Sequence, residues 1–146
     1  MAFNLMVFSL MAGSCTSKAE PLQVEVIKVK SAKGEFYFST EMAVTDKERR
    51  RGLMNRKSLA RDAAMLFLWN YDQPVQMWMK DTYIPLDMVF IRKDGSIANI
   101  ARKTTPHSLQ LHSSKGDVRG VLELSAGTAE KIGLSEGHKV FHRVFK

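Results

Sequence analysis

Short apolar segments separated by turn signals run through this sequence, and this pattern constrains the fold more than any other feature. Apolar and polar residues alternate in residues 22–30 and 36–44, as in half-buried strands, with a change of phase at Ile27 that suggests a β-bulge. The continuous apolar run of residues 63–69 indicates a strand buried on both faces. Lys93-Asp94-Gly95 predicts a hairpin turn, because Gly accepts the positive φ that such turns need. Further strands are expected in residues 75–80, 86–92, 97–103, 118–124 and 139–145.

Two brief helices are expected between these strands. Thr45 and Glu48 have the spacing of a capping box, so a helix should begin there and end near Gly52. A second helix is predicted at residues 128–132, ended by Gly133. The chain of 146 residues, 45% of them hydrophobic, is long enough to close one core. The sequence therefore predicts a single α+β domain over residues 22–146, predominantly β, with a small barrel-like antiparallel or mixed sheet.

The N-terminal segment has the pattern of an export signal. Residues 2–12 form an apolar run about half as long as the roughly 20 residues that span a bilayer as a helix. Small residues follow, and then Cys15, an order that resembles the lipobox of bacterial lipoproteins. We expect a signal peptide over residues 1–14, lipidation of Cys15 and a tether over residues 15–21. The domain would be exported and membrane-anchored, facing the periplasm or the extracellular side. Secretion without an anchor and a buried N-terminal helix remain alternatives.

Three sequence blocks resemble the DUF192 (UPF0127) family of bacterial and archaeal proteins, many of them exported. The blocks are Gly52-Leu53-Met54-Asn55-Arg56 with Met65-Leu66-Phe67; the distinctive run of residues 78–87 (WMKDTYIPLD); and Val121-Leu122-Glu123-Leu124 with Ala126-Gly127, Gly133-Leu134 and Gly137. The resemblance implies a β-rich, barrel-like domain and no particular activity. Ala64 and His138 stand where the family usually has Gly and Asp, respectively.

The central block combines side chains that suit ligand binding. Trp78 and Lys80 should share one face of a strand, because side chains alternate with period two. Thr82 and Asp87 flank the turn that follows. We expect Lys80 to bind a negative group, Asp87 to accept hydrogen bonds, and Trp78 to stack on a planar or sugar ring. Arg56 could join them as a bidentate anion clamp.

Two other interpretations of this block remain open. In a structural role, Lys80 and Asp87 would form an ion pair, Thr82 would cap the turn and Trp78 would fill the core. In an enzyme, such as a small envelope hydrolase, Asp87 and Lys80 would act as acid and base. The sequence contains no phosphate loop, dinucleotide fingerprint or nucleophile elbow, so we predict no cofactor and favour a binding or accessory module.

Residues 47–61 carry a strongly basic segment. It contains Lys47, Arg49, Arg50, Arg51, Arg56, Lys57 and Arg61. A solvated helix face is one explanation. Together with a lipid anchor, however, such a surface would hold the protein to anionic lipid. We expect a small ligand or an envelope protein as the partner rather than nucleic acid, since no recognition motif accompanies the basic residues.

The sequence gives little support for a metal site. One cysteine excludes a disulfide framework and a multi-cysteine zinc site. His138 and His142 could share a strand face, but no third ligand is evident. Met77 and Met79 could in principle bind Cu(I), although core packing is the better explanation because Met fills irregular gaps. We predict no metal.

Overall fold

Strand pairing organises the chain into a curled sheet and a two-stranded ribbon in this computed structural model, which describes residues 21–146. The strands are β1 (Val24–Ser31), β2 (Gly34–Ala43), β3 (Ala63–Gln73), β4 (Gln76–Met77), β5 (Leu86–Ile91), β6 (Ile97–Ala101), β7 (His112–Ser113), β8 (Val118–Ser125) and β9 (Lys139–Phe141). The helices are α1 (Asp46–Arg51) and α2 (Thr128–Lys131). The predicted α+β, predominantly β architecture is confirmed. The predicted signal peptide, Cys15 and most of the predicted tether lie outside the described residues.

The large sheet has seven strands in the order β6-β5-β8-β3-β2-β1-β9. β2 and β3 are parallel, and the other neighbouring strands are antiparallel. A bridge joins Ser96, just before β6, to Lys139 of β9. The sheet therefore curls far enough for its two edges to meet at one end.

The predicted hairpin turn forms between β5 and β6, and it helps to bring the edges together. Gly95 has φ +80°, and its carbonyl accepts a 2.9 Å hydrogen bond from the Val140 amide. A Cβ at position 95 would collide with the Val140 carbonyl oxygen. Glycine is thus required here both by its backbone conformation and by the close approach of β9.

The two faces of the sheet carry separate hydrophobic clusters. The inner face, inside the curl, includes Leu66, Val89 and Leu122, together with side chains from α2 and both edge strands. The outer face carries Met65, Phe67, Met88, Phe90 and Val121, covered by Leu53 after α1 and by Val75, Met79 and Ile84. Since successive side chains on a strand alternate between faces, β2, β3, β5 and β8 each contribute to both clusters. The continuous apolar run of β3 is explained by this double burial.

Helix α1 begins as the sequence predicts. The Thr45 hydroxyl accepts a 3.2 Å hydrogen bond from the Glu48 amide, and the Glu48 carboxylate accepts one of 2.8 Å from the Thr45 amide. These reciprocal bonds satisfy backbone donors that a helix start otherwise leaves free.

Three strand expectations need correction. β1 pairs with β2 without interruption from Val24 to Ser31, so no bulge occurs at Ile27. The strand expected at residues 75–80 is reduced to β4, because the chain there turns across the outer face and buries Met79. The last strand, expected at residues 139–145, ends at Phe141.

Candidate functional site

A cleft of about 520 Å³ lies on the outer face, between α1 and residues 76–82. Phe67 and Trp69 of β3 and Glu123 of β8 line it from the sheet. Residues 46 and 49–54 form one wall, and residues 76–78 and 80–82 form the other. The Asn55 amide donates a 2.8 Å hydrogen bond to the Asp81 carbonyl, which ties the two walls together. Gly52, Leu53 and Met54 of the first sequence block therefore meet the second block at this cleft because of the tertiary fold.

Glu123 is the buried acidic group of the cleft. It lies near the centre of the sheet, paired across the strands with Met65 of β3 and Met88 of β5, and is 4% exposed. Within residues 21–146 its carboxyl group has no hydrogen-bond or ion-pair partner. Burial raises the pKa of Glu123 to about 8, because the ionised form would lose its hydration without gaining a counter-charge. Glu123 is thus predominantly protonated at neutral pH.

Three cationic side chains line the cleft and are available to a ligand. Arg50, Arg51 and Lys80 are exposed, and their side chains form no hydrogen bond or ion pair in the described part of the chain. Arg49 differs, since its guanidinium donates 2.5 Å hydrogen bonds to the carbonyls of Val44 and Leu68 and pairs with Asp46. Arg49 therefore fixes α1 to the sheet, and the other three cations give the cleft a positive rim.

Two tryptophans give the cleft aromatic surfaces. Trp78 is 47% exposed, and the Lys80 ammonium lies 5.6 Å from the centre of its ring. Trp69 is partly buried beneath the Arg49 guanidinium, which is 5.5 Å from its ring. A planar ligand could stack on Trp78 while its charged group contacts the rim.

The structure brings Trp78, Lys80 and Thr82 to the cleft, as expected from the central block. Thr82 is 5% exposed, and its hydroxyl donates a 3.0 Å hydrogen bond to the Lys80 carbonyl. This bond holds the turn that presents Lys80. Thr82 accordingly has the turn-stabilising role considered in the structural interpretation, while also lining the cleft.

Arg56 lies outside the cleft-lining set. Its guanidinium binds both carboxylate oxygens of Glu41 in β2, at 2.5 and 2.6 Å. Hydrogen bonds from Arg56 hold the pKa of Glu41 below its usual range. The bidentate geometry expected for Arg56 exists, but its partner is a carboxylate of the same chain.

Asp87 is on the other face of the sheet. It is 1% exposed and has the same strand phase as Val89 and Ile91 of the inner cluster. Its two carboxylate oxygens accept hydrogen bonds from the backbone amides of Lys103, at 2.8 Å, and Ala129, at 2.9 Å. No ion pair joins it to Lys80 anywhere in residues 21–146. The expected grouping of Asp87 with Lys80 is therefore not formed.

Glu123 received no role in the sequence-based predictions. The available signal was a single charged residue inside the apolar run Val121-Leu122-Glu123-Leu124. Charged residues are rarely buried without partners, so an acid inside a predicted buried strand marks a candidate site.

The residues considered for metals are engaged elsewhere. Met79 belongs to the outer hydrophobic cluster, and the partly buried Met77 packs against it. His142 pairs with Glu25 at 2.8 Å, and the Ser135 amide donates a 3.2 Å hydrogen bond to Nδ1 of His138. Residues 21–146 contain no group of three or more His, Cys, Asp or Glu side chains that could hold a metal ion. In the same range, no helix has the length and apolar character needed to cross a membrane.

A model of the DUF192 family, described as "Uncharacterized ACR", matches residues 27–142, more than half of the chain. The chain belongs to the DUF192 family. The matched range contains all three sequence blocks and every residue that lines the cleft. No curated protein matches this DUF192 chain.

Two crystal structures resemble the DUF192 domain. One, from Sinorhizobium meliloti 1021 and described as a "putative transcription regulator", is 39% identical with a TM-score of 0.82, over 85% of this chain and 97% of that one. The other, a protein of unknown function from Novosphingobium aromaticivorans DSM 12444, is 34% identical with a TM-score of 0.81, over 83% and 86% of the two chains. Both likenesses extend over more than four-fifths of this chain.

Proposed function

We propose that this DUF192 protein is an exported, lipid-anchored binding or accessory module that takes up a small polar or anionic ligand in the outer-face cleft. The observation that carries the proposal is the set of unpartnered cations, Arg50, Arg51 and Lys80, around a recess with an exposed Trp78. Cations on a surface usually remain solvated, but here they line a concave site with aromatic walls. Such a site suits a ligand with a planar part and a negative group.

Binding is better supported than hydrolysis by Asp87 and Lys80. The Asp87 carboxylate is saturated by two backbone amides on the inner face, so it has no access to a ligand held by Lys80. Nucleic acid is also a weaker choice, although one similar structure is described as a "putative transcription regulator". A recess of about 520 Å³ accommodates a small molecule, whereas a duplex needs an extended positive surface.

Native mass spectrometry of the full protein, extracted from its own envelope in mild detergent, tests the ligand proposal. We expect the wild-type protein to retain an anionic species of low mass. Lys80→Gln and Arg50→Gln should each reduce its occupancy, because each removes one charge from the rim.

Lys30→Gln and Lys47→Gln are the matched controls for that experiment. Lys30 is an exposed cation of β1 and Lys47 an exposed cation of α1, and neither lines the cleft. Both controls should retain the species at the wild-type level. Equal retention in all four variants, or no retained species in the wild-type protein, would refute a cleft-bound anion.

The proposed anchor depends on Cys15, the one cysteine of the chain. Detergent phase partitioning of the full chain should place the wild-type protein in the detergent phase and Cys15→Ser in the aqueous phase. Equal partitioning of the two proteins would argue against lipidation of Cys15. A mass increase on the wild-type N-terminal peptide would identify the acyl group directly.

The basic segment supports a second contact with the membrane surface. Five of its seven cations are exposed and unpartnered within residues 21–146, namely Lys47, Arg50, Arg51, Lys57 and Arg61. Each basic residue near an anionic surface contributes about 1 kcal/mol, and salt screens this attraction. Flotation of Cys15→Ser with anionic vesicles should therefore fall as salt is raised. If flotation did not change with salt concentration, the proposed electrostatic contact with the membrane would be refuted.

A further inference from the structure

The protonated carboxyl group of Glu123 gives the cleft a hydrogen-bond donor that its exposed cations do not supply. A neutral carboxyl group has one O–H donor, whereas a carboxylate can only accept. Glu123 is 4% exposed, lines the cleft from the sheet, and has no partner among the described residues. Because this carboxyl group lines the open cleft and no group of residues 21–146 binds it, its O–H is free to donate a hydrogen bond to a ligand atom.

The groups around Glu123 determine which kind of ligand atom fits. On its own sheet the neighbouring side chains are Met65, Phe67 and Trp69 of β3, Met88 of β5 and Val121 of β8, none of which titrates near neutral pH. From α1 the charged groups that line the cleft are Asp46, Arg49, Arg50 and Arg51, and from the opposite wall they are Lys80 and Asp81. The cleft therefore has four cationic and two carboxylate side chains, so the electrostatic potential around the neutral Glu123 carboxyl group is positive.

We propose that the cleft binds its ligand's anionic oxygen together with a proton on Glu123, whose O–H donates to that oxygen while Arg50, Arg51 and Lys80 neutralise its charge. This inference rests on the proposed function and narrows it to a class of ligand: planar or aromatic carboxylates, sulfonates or phosphate esters. A cationic ligand is disfavoured, because it would face three unpartnered cations and would need Glu123 to lose its proton.

Proton coupling follows from the electrostatics of the same arrangement. An ionised Glu123 would place a second negative charge beside the ligand in a poorly hydrated site, where repulsion is strong. The ligand should therefore bind the protonated form. With the pKa of Glu123 raised to about 8, the free protein is ready to bind at neutral pH and must take up a proton to bind at higher pH.

Calorimetric titration of the full protein with benzenesulfonate provides a test that does not need the natural ligand. Benzenesulfonate is an aromatic anion that stays ionised over the whole range, so any proton uptake comes from the protein. We expect its affinity to fall about tenfold between pH 7 and pH 9, with a heat that depends on the buffer as up to one proton is taken up. Benzamide, which is neutral and of similar shape, should bind much more weakly.

Glu123→Gln separates a hydrogen-bonding role from a merely structural one. The amide keeps a donor and remains neutral, so this variant should bind benzenesulfonate at the wild-type neutral-pH affinity without the loss at pH 9. Glu136→Gln is the control, because Glu136 is exposed and pairs with Lys115 away from the cleft. It should keep the wild-type pH profile.

The outcomes distinguish this inference from the proposed function. Binding that Lys80→Gln weakens, but that shows no proton uptake in the wild-type protein, would overturn the role of Glu123 and leave the anion cleft intact. If a folded Glu123→Gln variant failed to bind benzenesulfonate at neutral pH, the proposed role of Glu123 would likewise be overturned and the anion cleft would stand. Failure of benzenesulfonate to bind the wild-type protein, or equal binding of benzamide, would overturn both. The proton-uptake measurement uses only the wild-type protein, so it tests the proposed role of Glu123 even if Glu123→Gln does not fold.

Discussion

Asp87 and Glu123 are buried acids on opposite faces of the same sheet, and their surroundings differ completely. Asp87 directly precedes Met88, and Met88 pairs across the strands with Glu123. On the inner face, both oxygens of Asp87 accept hydrogen bonds from backbone amides. On the outer face, Glu123 has no partner in residues 21–146 and adjoins a cleft. The difference shows that a buried acid indicates a functional site only when it lacks hydrogen-bond partners within the fold.

The partners of Asp87 explain why the fold uses a carboxylate there. The Lys103 amide follows β6 and the Ala129 amide lies in the first turn of α2, so Asp87 joins two segments that enter the inner core. Without Asp87, the buried Ala129 amide and the partly buried Lys103 amide would both lose their acceptor. The inner face therefore uses its acid to organise the backbone, and the outer face leaves its acid available to the cleft.

The largest expected effect on stability comes from substitutions of Asp87 on the inner face. Asp87→Ala should lower the free energy of unfolding by about 3–5 kcal/mol, because one buried and one partly buried amide lose their acceptor. Asp87→Asn keeps one carbonyl acceptor and should lose about 2 kcal/mol. Urea denaturation at pH 7 measures both. If Asp87→Ala were as stable as the wild-type protein and instead lost benzenesulfonate binding, Asp87 would be a binding residue rather than a structural one, contrary to the contrast drawn here.

The next effect has the opposite sign and lies on the outer face. In the unfolded chain Glu123 ionises near its ordinary pKa of 4.5, whereas the folded protein keeps it protonated up to about 8. The contribution of Glu123 to wild-type stability therefore becomes less favourable as pH rises from 4.5 to 8. Glu123→Gln should raise the free energy of unfolding by roughly 4 kcal/mol at pH 8 and by little at pH 4. Denaturation at the two pH values checks this, and an equal change at both would mean that the pKa of Glu123 in the folded protein is not raised above its value in the unfolded chain.

A smaller loss of stability is expected when the ion pair between Arg56 and Glu41 is removed. Arg56→Ala should cost about 1 kcal/mol at pH 7, since both partners are partly solvated. The pKa of Glu41 is lowered by Arg56, so the contribution is present above pH 4.5 and is lost as pH falls through the lower folded value. Thermal unfolding at pH 7 and near pH 3 should show the difference shrinking, with Lys47→Ala as control. A cost that persists in acid would assign it to packing of the Arg56 side chain.

The smallest stability effect is expected at the rim itself. Lys80→Ala should change the free energy of unfolding by less than about 0.5 kcal/mol, because its contact with Trp78 is solvent-exposed. Lys30→Ala, an exposed lysine of β1, should behave alike in the same urea titration. A loss in Lys80→Ala comparable to that in Asp87→Ala would make Lys80 a structural residue and weaken the proposed site.

Local signals predicted much of the fold. The capping box at Thr45 and Glu48 and the turn at Lys93-Asp94-Gly95 depend on residues close together in the chain, and both form as expected. The strand expected at residues 75–80 was largely wrong, because Met79 is buried by covering the outer face rather than by pairing in the sheet. The parallel pairing of β2 with β3 had no local signal at all.

For the candidate site, the sequence by itself determined which residue types were available: a tryptophan and a lysine two positions apart, a threonine that holds their turn, and an acid within an apolar strand. Tertiary structure alone decided that Asp87 lies on the inner face, that Arg56 binds Glu41, and that Glu123 adjoins the cleft. Alternation along a strand tells which residues share a face, but which face is open to a ligand depends on contacts between segments far apart in the chain.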